Sequence, residues 1–395
     1  MLAQITIVSG QPKNMEGCAG MFIKNNYVSQ SNRKDEQKDP AKYLATGIFP
    51  RETFPVYTTS NYLSPLQKIL ESHRYQALII VYDKVLQEKF EITDITRLVS
   101  VPVIEISLEG GEKVKTLSSF NEVIKVLEQK NLPDNTLMVV VGGGTIINFA
   151  GFVASIWKGM EPVFIPTTFT AMCDVAIGSL QMINLGHSKN KLRNYYDPLA
   201  IILSKNFIDS LPHKEKKNGL VEAFKHGLTQ DKKLFEKLER LVEEEQIFGT
   251  DTLFEIAVET AVLKNELIEE DPFSEHTKAI LSYGHTIAYA LEEITDYKIS
   301  HGEAVSIGTV IELNLFHERN SVLFKRTSDL LLKLGLPTVI PSSISTAEIV
   351  ERFNIHGKKG FPQVTDIGAL AKNKSGLLFT VDRKKLETIL QQNRE

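Results

Sequence analysis

Along the chain, short apolar segments alternate with segments of helical period. Ala77–Tyr82 (ALIIVY) is apolar throughout, the pattern of a strand buried on both faces, and Val101–Ser107 repeats it. Phe120–Lys130 (FNEVIKVLEQK) instead spaces its apolar residues for one face of a helix. Leu137–Val141 (LMVVV) returns to the strand pattern and runs into Gly142, Gly143 and Gly144. A helical stretch follows over Asn148–Lys158, and Pro162–Ile165 begins another strand. This alternation, which begins near Phe54, predicts an α/β fold with a largely parallel sheet. From about Leu211 the character changes. Lys214–Leu228, Asp251–Glu269, Thr286–Ile294, Glu303–Glu318 and Arg326–Leu334 all read as helices, and strand candidates nearly vanish. The expected organisation is a polar extension over 1–50, an α/β domain over 51–212 and a mostly helical domain over 213–395. The cleft between the two domains is the expected active site. Within the extension, Ile5–Val8 predicts a short strand, whereas 25–42 is rich in Asn, Ser, Lys and Asp and makes poor core material.

Composition narrows the function classes. Hydrophobic residues make up 42% and charged residues 24% of the 395, enough for a sizeable core. A net charge of -4 points to neither nucleic acid nor an anionic membrane, so any phosphate site must be built from local Lys and Arg. Two cysteines, Cys18 and Cys173, form no disulfide framework and suit a reducing cytoplasm. The N-terminus lacks the pattern of a signal peptide, and no run of 18 apolar residues suggests a membrane span. A soluble protein of the cytoplasm is the expectation.

Two constellations carry candidate chemistry. Three glycines after an apolar strand allow close backbone approach to a phosphate at a helix start, although the spacing is not G-x-G-x-x-G. A tight structural turn would look the same. Asp83 ends an earlier strand, where a carboxylate suits a ribose, and Thr167 and Thr168 end a later one. The second constellation is Glu222 with His285 and His301, each histidine at an expected helix start. Two imidazoles and a carboxylate suit an open catalytic metal site. Lys225 shares a helix face with Glu222. The spacings match no local metal motif, and from the residues alone each histidine reads more readily as a surface or satisfied core residue than as a ligand.

The order of motifs resembles the dehydroquinate synthase-like sugar phosphate cyclases. GGEKVK (Gly110–Lys115), GGGTIINFAGF (Gly142–Phe152), IPTTFTAMCD (Ile165–Asp174), SKN (Ser188–Asn190), NFIDSLP (Asn206–Pro212), GLVEAFKHGL (Gly219–Leu228), YGHT (Tyr283–Thr286) and HGE (His301–Glu303) follow one another as in that family. The resemblance implies a Rossmann-like NAD domain, a helical metal-binding domain and a homodimer. It implies Glu222, His285 and His301 as ligands of Zn2+ or Co2+. It implies NAD contacts at Asp83, Glu112, Lys115, Gly142, Gly143, Gly144, Asn148, Thr167, Thr168, Phe207, Ser210, Leu211 and Glu215. Asp174, Lys189, Asn190, Lys225 and Lys264 fall at catalytic, substrate-facing positions. Lys158, Lys278, Ser282, Tyr289 and Lys358 fall at substrate or phosphate positions. The implied reaction is transient oxidation of a sugar phosphate, phosphate elimination, reduction and intramolecular aldol closure.

Several family positions are altered. Asn148 stands for the usual Asp, as in the 2-deoxy-scyllo-inosose synthases, which PTTF, YGHTI and IHGKKG (Ile355–Gly360) also resemble. Leu180 stands for a lysine and Lys278 for an arginine that hold a substrate carboxylate. Tyr289 stands for a histidine, Ser282 for an asparagine and Lys158 for an arginine. Leucine donates no hydrogen bond, and lysine lacks the bidentate fork of arginine. The expected substrate is therefore a sugar phosphate without a carboxylate, such as glucose 6-phosphate or sedoheptulose 7-phosphate. The alternatives are 3-dehydroquinate synthase, a metal-dependent polyol or glycerol dehydrogenase, and a non-catalytic binding protein that kept the fold.

Overall fold

A computed structural model describes residues 4–8, 48–50, 54–88, 93–186, 188–271, 277–355, 360–373 and 376–395. Ten strands fall in the first half: β1 (Gln4–Val8), β2 (Ile48–Pro50), β3 (Pro55–Thr59), β4 (Ala77–Asp83), β5 (Val103–Leu108), β6 (Thr136–Gly142), β7 (Met160–Pro166), β8 (Leu180–Leu185), β9 (Ser188–Tyr195) and β10 (Ala200–Ser204). Eight of them form one sheet in the order β1-β5-β4-β6-β7-β10-β3-β2. The six central strands run parallel, and β1 and β2 pair antiparallel at the two edges. The apolar runs are strands because they are covered on both faces: every residue of β6, and every residue of β4 but Asp83, is buried. The predicted Ile5–Val8 strand is present as part of β1, with Val8 opposite Val103.

Helices cover the sheet. They include α1 (Leu63–Ser72), α2 (Leu117–Gln129) and α3 (Gly144–Ile156). Helix α3 is apolar nearly all round, with Ile146, Ile147, Phe149, Ala150, Val153 and Ala154 buried, because β8 packs on it as well as the sheet. The order β5-β4-β6 is a reversal. The chain leaves β4 in one direction to make β5, then crosses back over β4 to make β6. Such a switch point opens a crevice at the carboxyl ends of the two strands. Asp83 and Gly142–Gly144 lie at those ends.

The second half is mostly helical, as predicted. Short α4 (Lys205–Ser210) leads into α5 (His213–Thr229), α6 (Lys232–Glu243), α7 (Thr250–Glu270), α8 (His285–Ile294) and α9 (His301–Asn314). Helix α5 is buried continuously from Asn218 to Thr229, so it is the central element of this half. Helices α8 and α9 meet at backbone contact. A Cβ on Gly308 would sit 2.0 Å from the carbonyl oxygen of Gly284, and Gly284 itself has φ +77, in the left-handed region that favours glycine. This contact brings the starts of α8 and α9 together.

Among the elements without a counterpart in the reading of the sequence, two lie beside the site. The β8–β9 hairpin is a separate two-stranded sheet whose second strand, SKNKLRNY, has no buried residue. Residues 171–175 form a single π turn after β7.

Replacing Gly308 by alanine is expected to destabilise the chain by about 1–3 kcal/mol through overpacking. The check is a lower urea midpoint in equilibrium unfolding, together with weaker retention of divalent metal.

Candidate active site

Three elements converge on the metal cluster. Glu222 lies on the buried face of α5 and has no exposed surface. His285 is the first residue of α8 and His301 the first of α9. A capping box starts α9: the Ser300 N–H donates to the Glu303 carboxylate at 2.9 Å. Thus the glutamate of the HGE motif caps the helix on which His301 stands. Glu222 Oε1 lies 3.6 Å from His285 Nε2 and 3.2 Å from His301 Nε2. One ligand atom from each of the three residues lies within 4.8 Å of the others.

The donor chemistry fits a divalent metal. His285 Nδ1 meets the Tyr283 carbonyl oxygen at 3.0 Å, and His301 Nδ1 meets Glu292 Oε1 at 3.1 Å. Both Nδ1 atoms face acceptors, so both Nε2 atoms are left to ligate beside Glu222 Oε1. Lys225 Nζ donates to Glu222 Oε2 at 2.5 Å and to the Leu281 carbonyl at 2.9 Å. Burial alone would raise the Glu222 pKa, but Lys225 and His285 outweigh it and hold the carboxyl well below its usual range. Burial lowers the His285 pKa. For His301 burial acts the same way, but Glu292 and Glu222 prevail and raise it to about 9.

Next to the cluster, Lys264 Nζ pairs with Asp174 Oδ1 at 2.7 Å and also donates to the Asp174 carbonyl. Burial would raise the Asp174 pKa, but Lys264 and Lys225 keep it below its ordinary value. Tyr289 packs edge-on to the His285 ring, 5.7 Å between centroids, and burial lifts its phenol to about 12.

The β8–β9 hairpin supplies a second charged group. Lys189 Nζ lies 2.8 Å from Glu292 Oε1, 3.8 Å from Glu112 Oε2, and 5.5 and 5.8 Å from the ring centroids of Tyr289 and Tyr297. Lys115 Nζ donates to Asn190 Oδ1 at 2.5 Å and faces Glu112 Oε1 at 3.4 Å. Asn184 ties the group together, giving a hydrogen bond to Glu112 and taking one from the Asn190 N–H. Burial pulls the Lys115 pKa down to about 8 despite Glu112.

The crevice at the switch point carries the features of a dinucleotide site. Helix α3 begins after Gly143 with no side-chain cap, so its first N–H groups are open to an anion. Gly143 approaches Thr168 closely: a Cβ there would lie 3.2 Å from the Thr168 methyl. The Thr167 N–H donates to the Gly142 carbonyl at 3.0 Å. Asp83 accepts the Val85 N–H at 3.2 Å. Asn148 is buried, and its Oδ1 has no hydrogen-bond partner among the described residues. A cleft of about 560 Å³ opens beside the end of β5, lined by Lys84, Gly110 and Glu112 and by Tyr297 from the helical half. An unfilled helix start, a buried acceptor without a partner and a cleft of ligand size fit NAD.

Not every expected residue joins these groups. Phe207 is fully buried and stacks on Tyr62 at 5.2 Å, so its side chain is core. The Ser210 hydroxyl donates to the Phe207 carbonyl. Leu211 packs against the core, and Glu215 is exposed in the first turn of α5. Lys158 follows α3 at the opposite end of the sheet and pairs with Asp134, its side chain 84% exposed. Lys278 is exposed, and its carbonyl accepts the Ser282 hydroxyl. Lys358 lies outside the described residues. Conversely, the reading of the sequence passed over Asn184, Glu292 and Tyr297. A signal existed for Glu292 alone: in HTIAYALE it stands seven residues after His285, two helical turns along the same face.

Comparison with known proteins places this arrangement. Models of the 3-dehydroquinate synthase N-terminal and C-terminal regions match residues 105–218 and 219–359. The 3-dehydroquinate synthase of Nostoc punctiforme is 31% identical over 283 residues, covering 68% of this chain and 77% of the relative. That of Saccharolobus solfataricus is 34% identical over 262 residues, covering 65% and 71%. Among solved structures, 2-deoxy-scyllo-inosose synthase complexed with carbaglucose-6-phosphate, NAD+ and Co2+ matches with a TM-score of 0.76 at 22% identity, covering 86% of this chain and 97% of that one. The 2-epi-5-epi-valiolone synthase of Streptomyces hygroscopicus, with NAD+ and Zn2+ bound, also gives 0.76, at 20% identity over 87% and 97%. The α/β half with its helical, Glu/His/His-bearing partner is a dehydroquinate synthase-like fold. The chain belongs to the 3-dehydroquinate synthase-like family of sugar phosphate cyclases.

Two substitutions test the site. Glu222→Gln leaves Lys225 buried without its counter-charge and is expected to cost about 3–5 kcal/mol. It should also abolish retention of divalent metal, read by metal analysis after dialysis. For Asp174 the folded-state pKa is depressed, so its stabilisation is full above the ordinary carboxylate range and is lost as pH falls through the folded value. Asp174→Asn should therefore be less stable than the parent at pH 7, by about 1–3 kcal/mol for a partly buried pair. The gap should close on acidification, as urea midpoints measured from pH 7 to pH 3 will show.

Proposed function

We propose that this chain converts a sugar phosphate into a six-membered carbocycle with release of inorganic phosphate. The observation that carries the reading is the buried Glu222–His285–His301 cluster, set beside two lysine–carboxylate pairs and across from a dinucleotide crevice. When bound, the metal supplies a Lewis acid for substrate hydroxyls, and NAD supplies a hydride acceptor that is regenerated within the cycle. Glu222, His285 and His301 would hold the metal. The turn Gly142–Gly144, with Asp83, Asn148 and Thr168, would hold NAD. Lys225 and Lys264 keep Glu222 and Asp174 ionised, which leaves the Asp174 carboxylate as a proton acceptor for a substrate hydroxyl. Lys189, Asn190 and Lys115 line the opposite side with cationic and amide groups suited to phosphate oxygens. A confined, partly dry site favours intramolecular ring closure over loss of the open chain.

The particular reaction we put first is that of 3-dehydroquinate synthase, the activity named for the curated relatives above. This reverses the weight that the altered residues gave to a neutral substrate. A specific observation still favours the second reading. At the two positions where the family resemblance expects cations for a substrate carboxylate, Leu180 is half-buried without charge and Lys278 is exposed. Glucose 6-phosphate or sedoheptulose 7-phosphate would need neither cation. As in the family, the enzyme is expected to work as a homodimer.

The test is incubation of metal-loaded protein and NAD with the seven-carbon acidic precursor of dehydroquinate, glucose 6-phosphate or sedoheptulose 7-phosphate. Released phosphate and absorbance at 340 nm are followed together. Phosphate release without NADH accumulation is expected, and the active substrate names the reaction. NADH accumulation without phosphate would mean a polyol dehydrogenase and would overturn the proposal. If the acidic precursor is the substrate, Leu180→Lys should lower its KM. If a neutral sugar phosphate is the substrate, the same change should not.

A further inference from the structure

Glu292 stands between the metal cluster and the cofactor side. It is 2% exposed, on the face of α8 that carries His285. One oxygen, Oε1, meets both His301 Nδ1 at 3.1 Å and Lys189 Nζ at 2.8 Å. The other, Oε2, is buried with no hydrogen-bond partner among the described residues. Burying a carboxylate is costly, and leaving half of its acceptor capacity unused adds to the cost. An apolar side chain would pack there more cheaply unless the charge had a use. Its neighbours show what that use is. An ionised carboxylate only accepts, so it keeps the proton of His301 on Nδ1 and turns Nε2 towards Glu222 Oε1, 3.2 Å away. For His285 the Tyr283 carbonyl does the same task.

We infer that Glu292 is a positioning residue of the metal centre. It fixes the ring and tautomer of His301, and Lys189 fixes Glu292. Lys189 belongs to the β8–β9 hairpin and is steadied by Glu112 beside the cofactor crevice. The orientation of a ligand in the helical half is therefore set through a lysine of the α/β half. Carboxylates that orient metal-bound histidines typically account for a 10–100-fold difference in metal affinity.

The inference shares with the proposed function the occupation of the cluster by a metal, but it depends on no substrate. The experiment therefore reads metal binding and not turnover. Full-length Glu292→Gln, stripped of metal, is titrated with Co2+ by visible absorption and with Zn2+ against a chelating dye. Affinity about 10–100-fold weaker than the parent's is expected, with an altered cobalt band. A purely structural role would change the melting temperature and leave the cobalt band of the loaded protein as it was. Parental affinity with a parental band would overturn the inference. A parent that binds no metal at all would sink the proposed function as well. If Glu292→Gln does not fold, Lys189→Met serves in its place. It keeps the Glu292–His301 bond but frees the carboxylate, so it should alter the cobalt band, and an unchanged band would again overturn the inference.

Discussion

A carboxylate with no exposed surface cannot remain charged alone, and Glu222 is such a carboxylate. Lys225, one helical turn away, meets one oxygen, and two imidazoles face the other. The rest of the helical half serves this arrangement. Helix α5 must be buried along its length to hold both Glu222 and Lys225 away from water. Helices α8 and α9 must meet at backbone contact so that two helix starts reach the same carboxylate oxygen. The glycines that permit this contact matter to the site as much as the histidines, although they bind nothing.

The same logic spreads outward as paired charges. Asp174 needs Lys264, Glu292 needs Lys189, and Glu112 needs Lys115 and Lys189. Each pair joins residues from different elements, except Glu112–Lys115 within one turn. Lys264–Asp174 and Lys189–Glu292 cross between the helical half and the α/β half. Ion pairs that cross in this way fix the two halves relative to each other beside the metal cluster, at a desolvation cost that apolar packing would avoid.

Much of the fold was legible in the sequence because its strongest signals are local. ALIIVY and LMVVV are strands by composition, and five of the helices in the second half follow from apolar period. The hairpin that carries Lys189 and Asn190 was not legible, since SKNKLRNY is polar and owes its shape to pairing with β8 on top of α3. The site was half legible. Glu222, His285 and His301 could be named only through the order of motifs, because their spacing along the chain reflects where three helices meet and follows no local rule. Lys158 and Lys278 were named as altered family positions, each standing for an arginine, and the folded chain leaves both exposed. Glu292 left only its spacing from His285 as a signal, because a glutamate in a helix looks like solvated surface until the element packed against it is known.

The two edges of the sheet share one origin. Strands β1 and β2 both come from the first 50 residues, and each lies antiparallel along an outer strand of a parallel sheet. An exposed parallel strand such as VIEISL offers a row of unpaired backbone groups to any other chain. Strands β1 and β2 satisfy the outer backbone groups of β5 and β3 and move the open edges onto strands of only five and three residues, and short edge strands offer less to a neighbouring chain. A chain shortened to begin at β3 would keep every residue of the metal cluster and present the unpaired sides of β5 and β3 as its edges.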